Sequence, residues 1–380
     1  MRITFAKEKI FTGIQKAISI IPSKSGAAAL RCLWLKAEDG AVTLFSTDSN
    51  LEFTGTYPCE VAEPGFIGIQ GQIFQGLVST CKGDIEMTYN EGDGFVTLRH
   101  SSGVCKLPIM SLNWFQEVKP FPTSLPVYWS GEMIKEVIDR ISFCINDDTT
   151  MMDALSCLYI TRRDGKIDIC GLNGHLFAMY SIINEQLQDH LPEPGVLIQK
   201  PYLTPLNKWL SNTDIELNFA NNTIFFKNDN NEILSIPLVV NYEFPDYMNF
   251  LQRIQEGHST LTVNKSDISR ALNRISTVNN DAESCTDLFI SEDKNFIDCS
   301  ANIENTGEVL EKIAITYDGD IRKISFRTRN LIAVLNHFES KEIKIKMTSD
   351  VGPCSFEGEE DLFYNVVLMP VQTVEKSYED

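Results

Sequence analysis

Ile3-Thr4-Phe5-Ala6-Lys7, Val127-Tyr128-Trp129-Ser130-Gly131 and Leu261-Thr262-Val263-Asn264-Lys265 are three short segments at one recurring distance, about the length of a small domain. Each leads into an apolar stripe of helical period. The first holds Ile10, Ile14, Ala17 and Ile21, and the second Ile134, Val137, Ile138, Ile141 and Ile145. The third holds Ile268, Ala271, Leu272, Ile275 and Val278. Ser130 and Ser266 stand where a helix is capped. A second triplet follows at the same period: Gly71-Gln72-Ile73-Phe74 to Cys81, Lys200-Pro201-Tyr202-Leu203 to Leu210, and Arg327-Thr328-Arg329-Asn330 to Phe338. A third triplet begins just after these: Asp84-Ile85-Glu86-Met87, Asp214-Ile215-Glu216-Leu217 and Glu342-Ile343-Lys344-Ile345. The chain reads as three copies of one unit.

Between the helices the period changes to two. Thr43–Thr47 and Leu51–Gly55 flank a turn at Asp48-Ser49-Asn50, and Ile215–Phe219 and Thr223–Phe226 flank one at Asn221-Asn222. The fold class that follows is α+β: three repeated domains, each with two helices packed on antiparallel sheets of about eight short strands. Proline-rich stretches at Pro120–Pro126 and the polar Gln255-Glu256-Gly257-His258 set the boundaries. The expected domains are residues 1–124, 125–255 and 256–380, the last with a short polar extension beyond Thr373.

The chain of 380 residues carries a net charge of −19, which argues against nonspecific attraction to nucleic acid by the molecule as a whole. The distribution points elsewhere. The six helical stretches carry +2, +1, −1, +2, +2 and +2 in chain order, a surplus of +8 in an acidic chain. A side built from those helices would attract phosphate while the strands repelled it.

Reactive constellations are hard to find. His100, His175, His190, His258 and His337 are far apart, without metal-ligand spacing. There is no Walker loop and no G-x-S-x-G, and Gly65, Gly68 and Gly71 do not have dinucleotide-binding spacing. Asp147-Asp148 reads as a polar loop after a helix, and Glu357-Gly358-Glu359-Glu360-Asp361 as a solvated hairpin loop. Asn173-Gly174-His175 interrupts a strand pattern; with Asp147 or Asp148 it is the one enzymatic alternative. The ten cysteines lack C-x-x-C spacing and sit among apolar neighbours, as core thiols of a cytoplasmic protein. No signal-peptide pattern and no membrane-spanning run is expected. Neither a cofactor nor a metal is implied.

Several segments, in this order and on this triple repeat, resemble the bacterial sliding clamp, the beta subunit of DNA polymerase III. They are Met1-Arg2-Ile3-Thr4-Phe5, Leu172-Asn173-Gly174-His175-Leu176-Phe177-Ala178, Phe244-Pro245-Asp246-Tyr247 and Val367-Leu368-Met369-Pro370-Val371. The likeness covers the chain to Thr373. It implies a head-to-tail homodimeric ring that encircles double-stranded DNA without sequence preference, with helices lining the hole and sheets forming the wall. A ring holds DNA by topology, so weak phosphate contacts suffice and an acidic exterior is no obstacle. The implied function is that of a non-catalytic processivity factor. Its partners would be the DNA polymerase III catalytic subunit, the clamp loader and other proteins bearing clamp-binding peptides, with no membrane involved.

The same resemblance implies three sets of residues. A groove for a leucine- and phenylalanine-bearing peptide maps to Leu155, Leu172, Gly174, His175, Leu176, Phe177, Pro245, Phe250, Val351, Val367, Leu368, Met369, Pro370 and Val371. Phosphate contacts fall to Lys9, Lys16, Lys24, Lys200, Lys208, Arg270, Arg274 and Arg327. Thr277 and Val278 lie at the dimer interface, where the repeat leaves sheet edges to be paired. Departures from the pattern are also visible. Leu176, Asn249 and Gln372 stand where the family commonly has arginine, so the groove rim is less basic. Ala27-Ala28-Ala29-Leu30 replaces a more usual L-P-I-L, and Thr149 stands where a glutamine can touch DNA.

Overall fold

The structure is a computed structural model that describes residues 1–22, 27–147, 153–255, 259–278, 281, 284–303 and 307–372. Lys24, Asp148, Thr149, His258 and the extension from Thr373 lie outside the described residues.

The strand-to-helix passages predicted from the triplets are present three times. Arg2–Ala6 runs into α1 (Lys7–Ile20), and Gly65–Gln70 into α2 (Gly71–Thr80). Val127–Ser130 runs into α3 (Gly131–Ser142). After the short α4 (Glu185–His190), Val196–Gln199 runs into α5 (Lys200–Trp209). After α6 (Tyr247–Gln255), Ser259–Asn264 runs into α7 (Lys265–Val278), and Lys323–Arg327 into α8 (Thr328–Asn336). The stripes read from the sequence are buried: Ile10, Ile14 and Ala17 of α1, Ile134, Val137, Ile138 and Ile141 of α3, and Ile268, Ala271, Leu272 and Ile275 of α7. α4 and α6 are additions to the two helices expected per repeat.

One hydrogen bond recurs with the repeat. The first backbone N–H of α1, α3 and α7 donates to a carbonyl just beyond α2, α5 and α8 respectively: Lys7 to Gly83 at 3.4 Å, Gly131 to Thr213 at 3.0 Å, Lys265 to Lys341 at 2.8 Å. In the outer repeats a lysine stands at this position and satisfies carbonyls at that helix's C-terminal end. Lys7 Nζ reaches the carbonyls of Ser79 (2.6 Å) and Cys81 (2.9 Å), and Lys265 Nζ that of Phe338. In the middle repeat the carbonyl of Ser211 lies where a side chain would start, 2.2 Å from the position of a Cβ on Gly131. Only glycine fits there.

The described residues form two compact units. The first contains residues 1–136 and 186–240, the second residues 137–185 and 241–380. In the first unit thirteen strands are hydrogen-bonded side by side, and the middle repeat's Ile233–Pro237 pairs antiparallel with Glu52–Pro58, Leu234 opposite Phe53. In the second unit the middle repeat supplies Cys157–Arg163, Lys166–Leu172 and Leu176–Ile182. These are followed in order by Tyr364–Leu368, Cys354–Gly358, Glu342–Met347 and Ser259–Asn264. Leu176 pairs with Leu368 and Phe177 with Val367, so each sheet passes from one repeat into the next without an edge.

The acidic segment Glu357–Asp361 is not simply a solvated loop. Asp361 is buried and accepts hydrogen bonds from Arg140 Nη1 (2.6 Å), Ser340 Oγ (2.5 Å) and the backbone N–H groups of Glu339 (3.0 Å) and Ser340 (2.9 Å). Arg140 in turn lies over the Tyr364 ring, 5.1 Å from its centroid, and its carbonyl accepts from Tyr364 Oη at 2.9 Å. A carboxylate this enclosed is tolerated because every donor around it points inward.

Candidate functional site

The strand Leu176–Ile182 decides what can be reached from outside the second unit, because alternate side chains leave on opposite faces. Phe177, Met179 and Ser181 share one face. Their cross-strand neighbours put Leu172, Cys170 and Asp168 from one side, and Val367 and Asn365 from the other, on the same face. Leu176, Ala178, Leu368 and Val366 point the other way and are buried. On that opposite side Gly171 lies under α3, where a Cβ would come within 3.0 Å of Ile141 and Ile145 atoms.

α6 covers part of the Phe177 face. Its first turn is set by Asp246, whose Oδ1 accepts from Asn249 N at 3.2 Å. Tyr247, Leu251 and Ile254 form its buried stripe against Cys170, Phe177 and Val367, with Leu172, Met179, Phe244 and Phe250 packed around them. Phe250 meets Phe177 edge to face at 5.0 Å, and Phe244 stacks on Tyr159 at 4.6 Å. Beneath them the fully buried Asp168 accepts from Arg163 Nε (2.6 Å), Ser181 Oγ (2.6 Å) and Tyr247 Oη (2.8 Å). The hydrogen bond to Asp168 raises the Arg163 guanidinium further above its ordinary range, and burial pushes the Tyr247 hydroxyl up. Both stay in the form that holds α6 down.

Leu172, Asn173, Gly174 and His175 form the turn between two of these strands. Asn173 Oδ1 accepts from the backbone N–H of His175 (3.1 Å) and Leu176 (2.9 Å), and Gly174 sits at φ +84°. His175 is exposed, and its carbonyl accepts from Met369 N at 2.9 Å. The chain end continues through Val371, whose N–H bonds Ser325 O at 2.8 Å. The turn, the N-terminal part of α6 and residues 367–371 therefore meet. Leu172, Gly174, His175, Phe250, Met369, Pro370 and Val371 retain exposed or half-exposed surface there, over a floor of Phe177 and Val367.

Two expected groove residues do not belong to that surface. Leu176 and Leu368, 3 % and 0 % exposed, lie on the opposite face because the strand period is two. Phe177 and Val367 lie on the correct face but are covered by α6. Pro245 is exposed just before α6, Leu155 is half-buried in the short turn Ala154–Ser156, and Val351 is exposed in the turn before Cys354–Gly358.

The basic residues divide similarly. Lys9, Lys208, Arg270 and Arg274 are exposed on their helices, while Lys200 and Arg327 are half-buried. Lys16 is engaged by a buried carboxylate. Its ammonium is 2.5 Å from Glu232, a residue 2 % exposed that also accepts from Tyr57 Oη (2.6 Å) and Asn228 Nδ2 (2.7 Å), so its charge is already used inside the first unit. Arg270 pairs with Asp267 at 2.5 Å, and Arg274 makes a two-pronged pair with Glu311 at 2.6 Å. The hydrogen bond from Arg274 holds the Glu311 carboxyl below its ordinary range. Thr277 and Val278, at the end of α7, are exposed and half-buried.

Two family models match the chain. The DNA polymerase III beta subunit N-terminal domain matches residues 1–113, and the C-terminal domain of the same subunit matches residues 255–372, together more than half of the chain. The chain belongs to the DNA polymerase III beta subunit family. As a member it is a processivity clamp of a DNA polymerase and not an enzyme, so the Asn173–His175 turn has a structural and not a catalytic reading. It is similar to the beta sliding clamp of Staphylococcus epidermidis, with 20 % identity over 98 % of this chain and all of the relative. Its fold is similar to that of Caulobacter crescentus pol III beta (TM-score 0.90, 18 % identity, 98 % of this chain and 100 % of that one). The DNA polymerase sliding clamp from Bacillus subtilis superposes with TM-score 0.89 at 18 % identity, with the same coverage.

Proposed function

We propose that two copies of this chain form a head-to-tail ring of six repeated domains, bounded near residues 124 and 255, around duplex DNA. The observation that carries the reading is the threefold strand–helix repeat with a positive surplus on its six helices, in a chain of the clamp family. The helices face the DNA, and residues around Thr277 and Val278 of one chain meet the first repeat of the other. The ring tethers the polymerase catalytic subunit in the cytoplasm and is placed on DNA by a clamp loader. Its partners insert one aliphatic and one aromatic side chain beside Met369 and Leu172.

DNA affinity is expected to be weak, salt-dependent and indifferent to sequence. Removing a charge at Lys9 or Lys208, both exposed, should lower the slope of log affinity against log salt by about one unit. Lys16→Ala should leave that slope unchanged, because its partner is Glu232. Duplex titrations from low to moderate salt would measure both. A sequence preference, or a slope insensitive to the exposed lysines, would contradict the assignment.

Met369→Ala should weaken a labelled leucine- and phenylalanine-bearing peptide by roughly tenfold, since burying one such side chain contributes roughly 1.5–3 kcal/mol. The mutant should remain a dimer of the 42.9 kDa chain by sedimentation. Unchanged peptide affinity in a folded dimer would put the partner site elsewhere. Loss of the dimer would make Met369 a packing residue.

A further inference from the structure

We propose that the second unit carries an additional partner-contact pocket, beside the last turn of α6, which receives an acidic extension of a peptide already seated in the groove. The proposal rests on the groove reading given above.

The pocket is a cavity of about 360 Å³ on the same sheet face as Phe177, reached by following that strand through Met179 to Ser181. Four residues of strand separate the two places, roughly 13 Å at 3.3 Å per residue. An extended peptide therefore spans the distance with about four residues beyond its groove-binding part. Leu251 and Ile254 of α6 form one wall.

Three cations, Arg163, Lys166 and Lys346, line the cavity together with two carboxylates, Glu357 and Asp361, the latter held by Arg140. Arg163 is engaged by Asp168 and Asp164, and Lys346 by Glu357 at 2.8 Å. Lys166 has no carboxylate partner among the described residues. Its ammonium instead lies 4.7 Å from the centroid of the Phe363 ring. Phe363 is 55 % exposed and held at φ +68°, a conformation costly for a bulky side chain, with its carbonyl accepting from Ser181 N at 2.9 Å. Next to it Leu362 is 69 % exposed.

A second observation is independent of charge. Asn365 gives its amide N–H to Ser355 Oγ at 2.7 Å, but its Oδ1 is buried with no donor among the described residues. Asn365 also lines the cavity. A buried acceptor without a donor is unfavourable and is relieved by a ligand that brings an N–H. A peptide segment with Asp or Glu side chains supplies both needs: backbone N–H groups for Asn365 and carboxylates for Lys166.

The test uses the full chain and three fluorescein-labelled synthetic peptides. One carries only the leucine–phenylalanine core. The others add four glutamates before or after it. Anisotropy titrations at low salt should show one extended peptide binding about three- to fivefold tighter than the core peptide, the scale of one exposed ion pair with a hydrogen bond. The gain should vanish in about 1 M salt, where screening acts within about 3 Å. Lys166→Gln should abolish the gain and leave core-peptide affinity unchanged, and Asn365→Leu should reduce it. A gain that persists in Lys166→Gln, or no gain in either extended peptide while the core binds, overturns the pocket alone. Failure of the core peptide itself to bind overturns the groove reading with it.

Discussion

Asp361→Ala is expected to destabilise the second unit by about 3–5 kcal/mol, the range for removing one partner of a buried ion pair. Arg140 keeps only 10 % of its side-chain surface exposed, and its pair with Glu339, whose side chain is 77 % exposed, is too solvent-exposed to replace the buried carboxylate. Two backbone N–H groups, at Glu339 and Ser340, would lose their acceptor as well. The change should be visible as a lowered urea midpoint. The same carboxylate sets a pH dependence. Burial acts to raise its pKa, but the hydrogen bonds from Ser340, Glu339 N and Arg140 prevail and lower it. A group with a depressed folded pKa contributes fully above its unfolded value, about 3.9 for aspartate, and loses that contribution as pH falls through the folded value. Stability of the wild type should therefore decline below about pH 4, with a smaller decline in Asp361→Ala. Equal acid sensitivity in the two proteins would remove Asp361 from the explanation.

Gly131→Ala is expected to cost about 3 kcal/mol, at the upper end for overpacking, because the obstructing atoms are backbone. A Cβ there would lie 2.2 Å from Ser211 O and 2.8 Å from Thr213 O, and neither can turn aside as a flexible side chain would. Relieving the clash would stretch the 3.0 Å bond from Gly131 N to Thr213 O. The helical preference for alanine over glycine, at most about 1 kcal/mol, is too small to offset this. Gly76→Ala in α2 is the control: nothing lies within 4 Å of its Cβ, so the same substitution should be neutral or stabilising by up to about 1 kcal/mol. Urea unfolding of the two mutants side by side would separate them. Similar destabilisation in both would mean that helix geometry, not the close approach to Ser211, is responsible.

The sequence was most legible where a period runs long enough to be counted. The stripes Ile10–Ile14–Ala17 and Ile268–Ala271–Leu272–Ile275 mark α1 and α7 because three turns share one buried face. α6 was hidden because Phe244-Pro245-Asp246 reads as a corner and the helix after it spans only two or three turns. Its signal was the spacing of Tyr247, Leu251 and Ile254 behind the cap Asp246. The groove segments were legible as strings of residues, but not their faces. Whether Leu176 or Phe177 looks outward depends on strand register with Val367 and Leu368, nearly two hundred positions away. The partners of charged groups were equally out of reach. Lys16 looks like any helix lysine until Glu232 is placed against it, and Asp361 looks like part of an acidic loop until Arg140 arrives.

The central claim, that the chain holds DNA by enclosing it, is tested most directly by loading it with a clamp loader onto nicked circular DNA. The DNA is then cut once, and protein retained during gel filtration is measured before and after. The account predicts retention on the circle in moderate salt and loss after linearisation, as protein slides off the ends. Equal retention on circular and linear DNA, or none on either after loading, would contradict it.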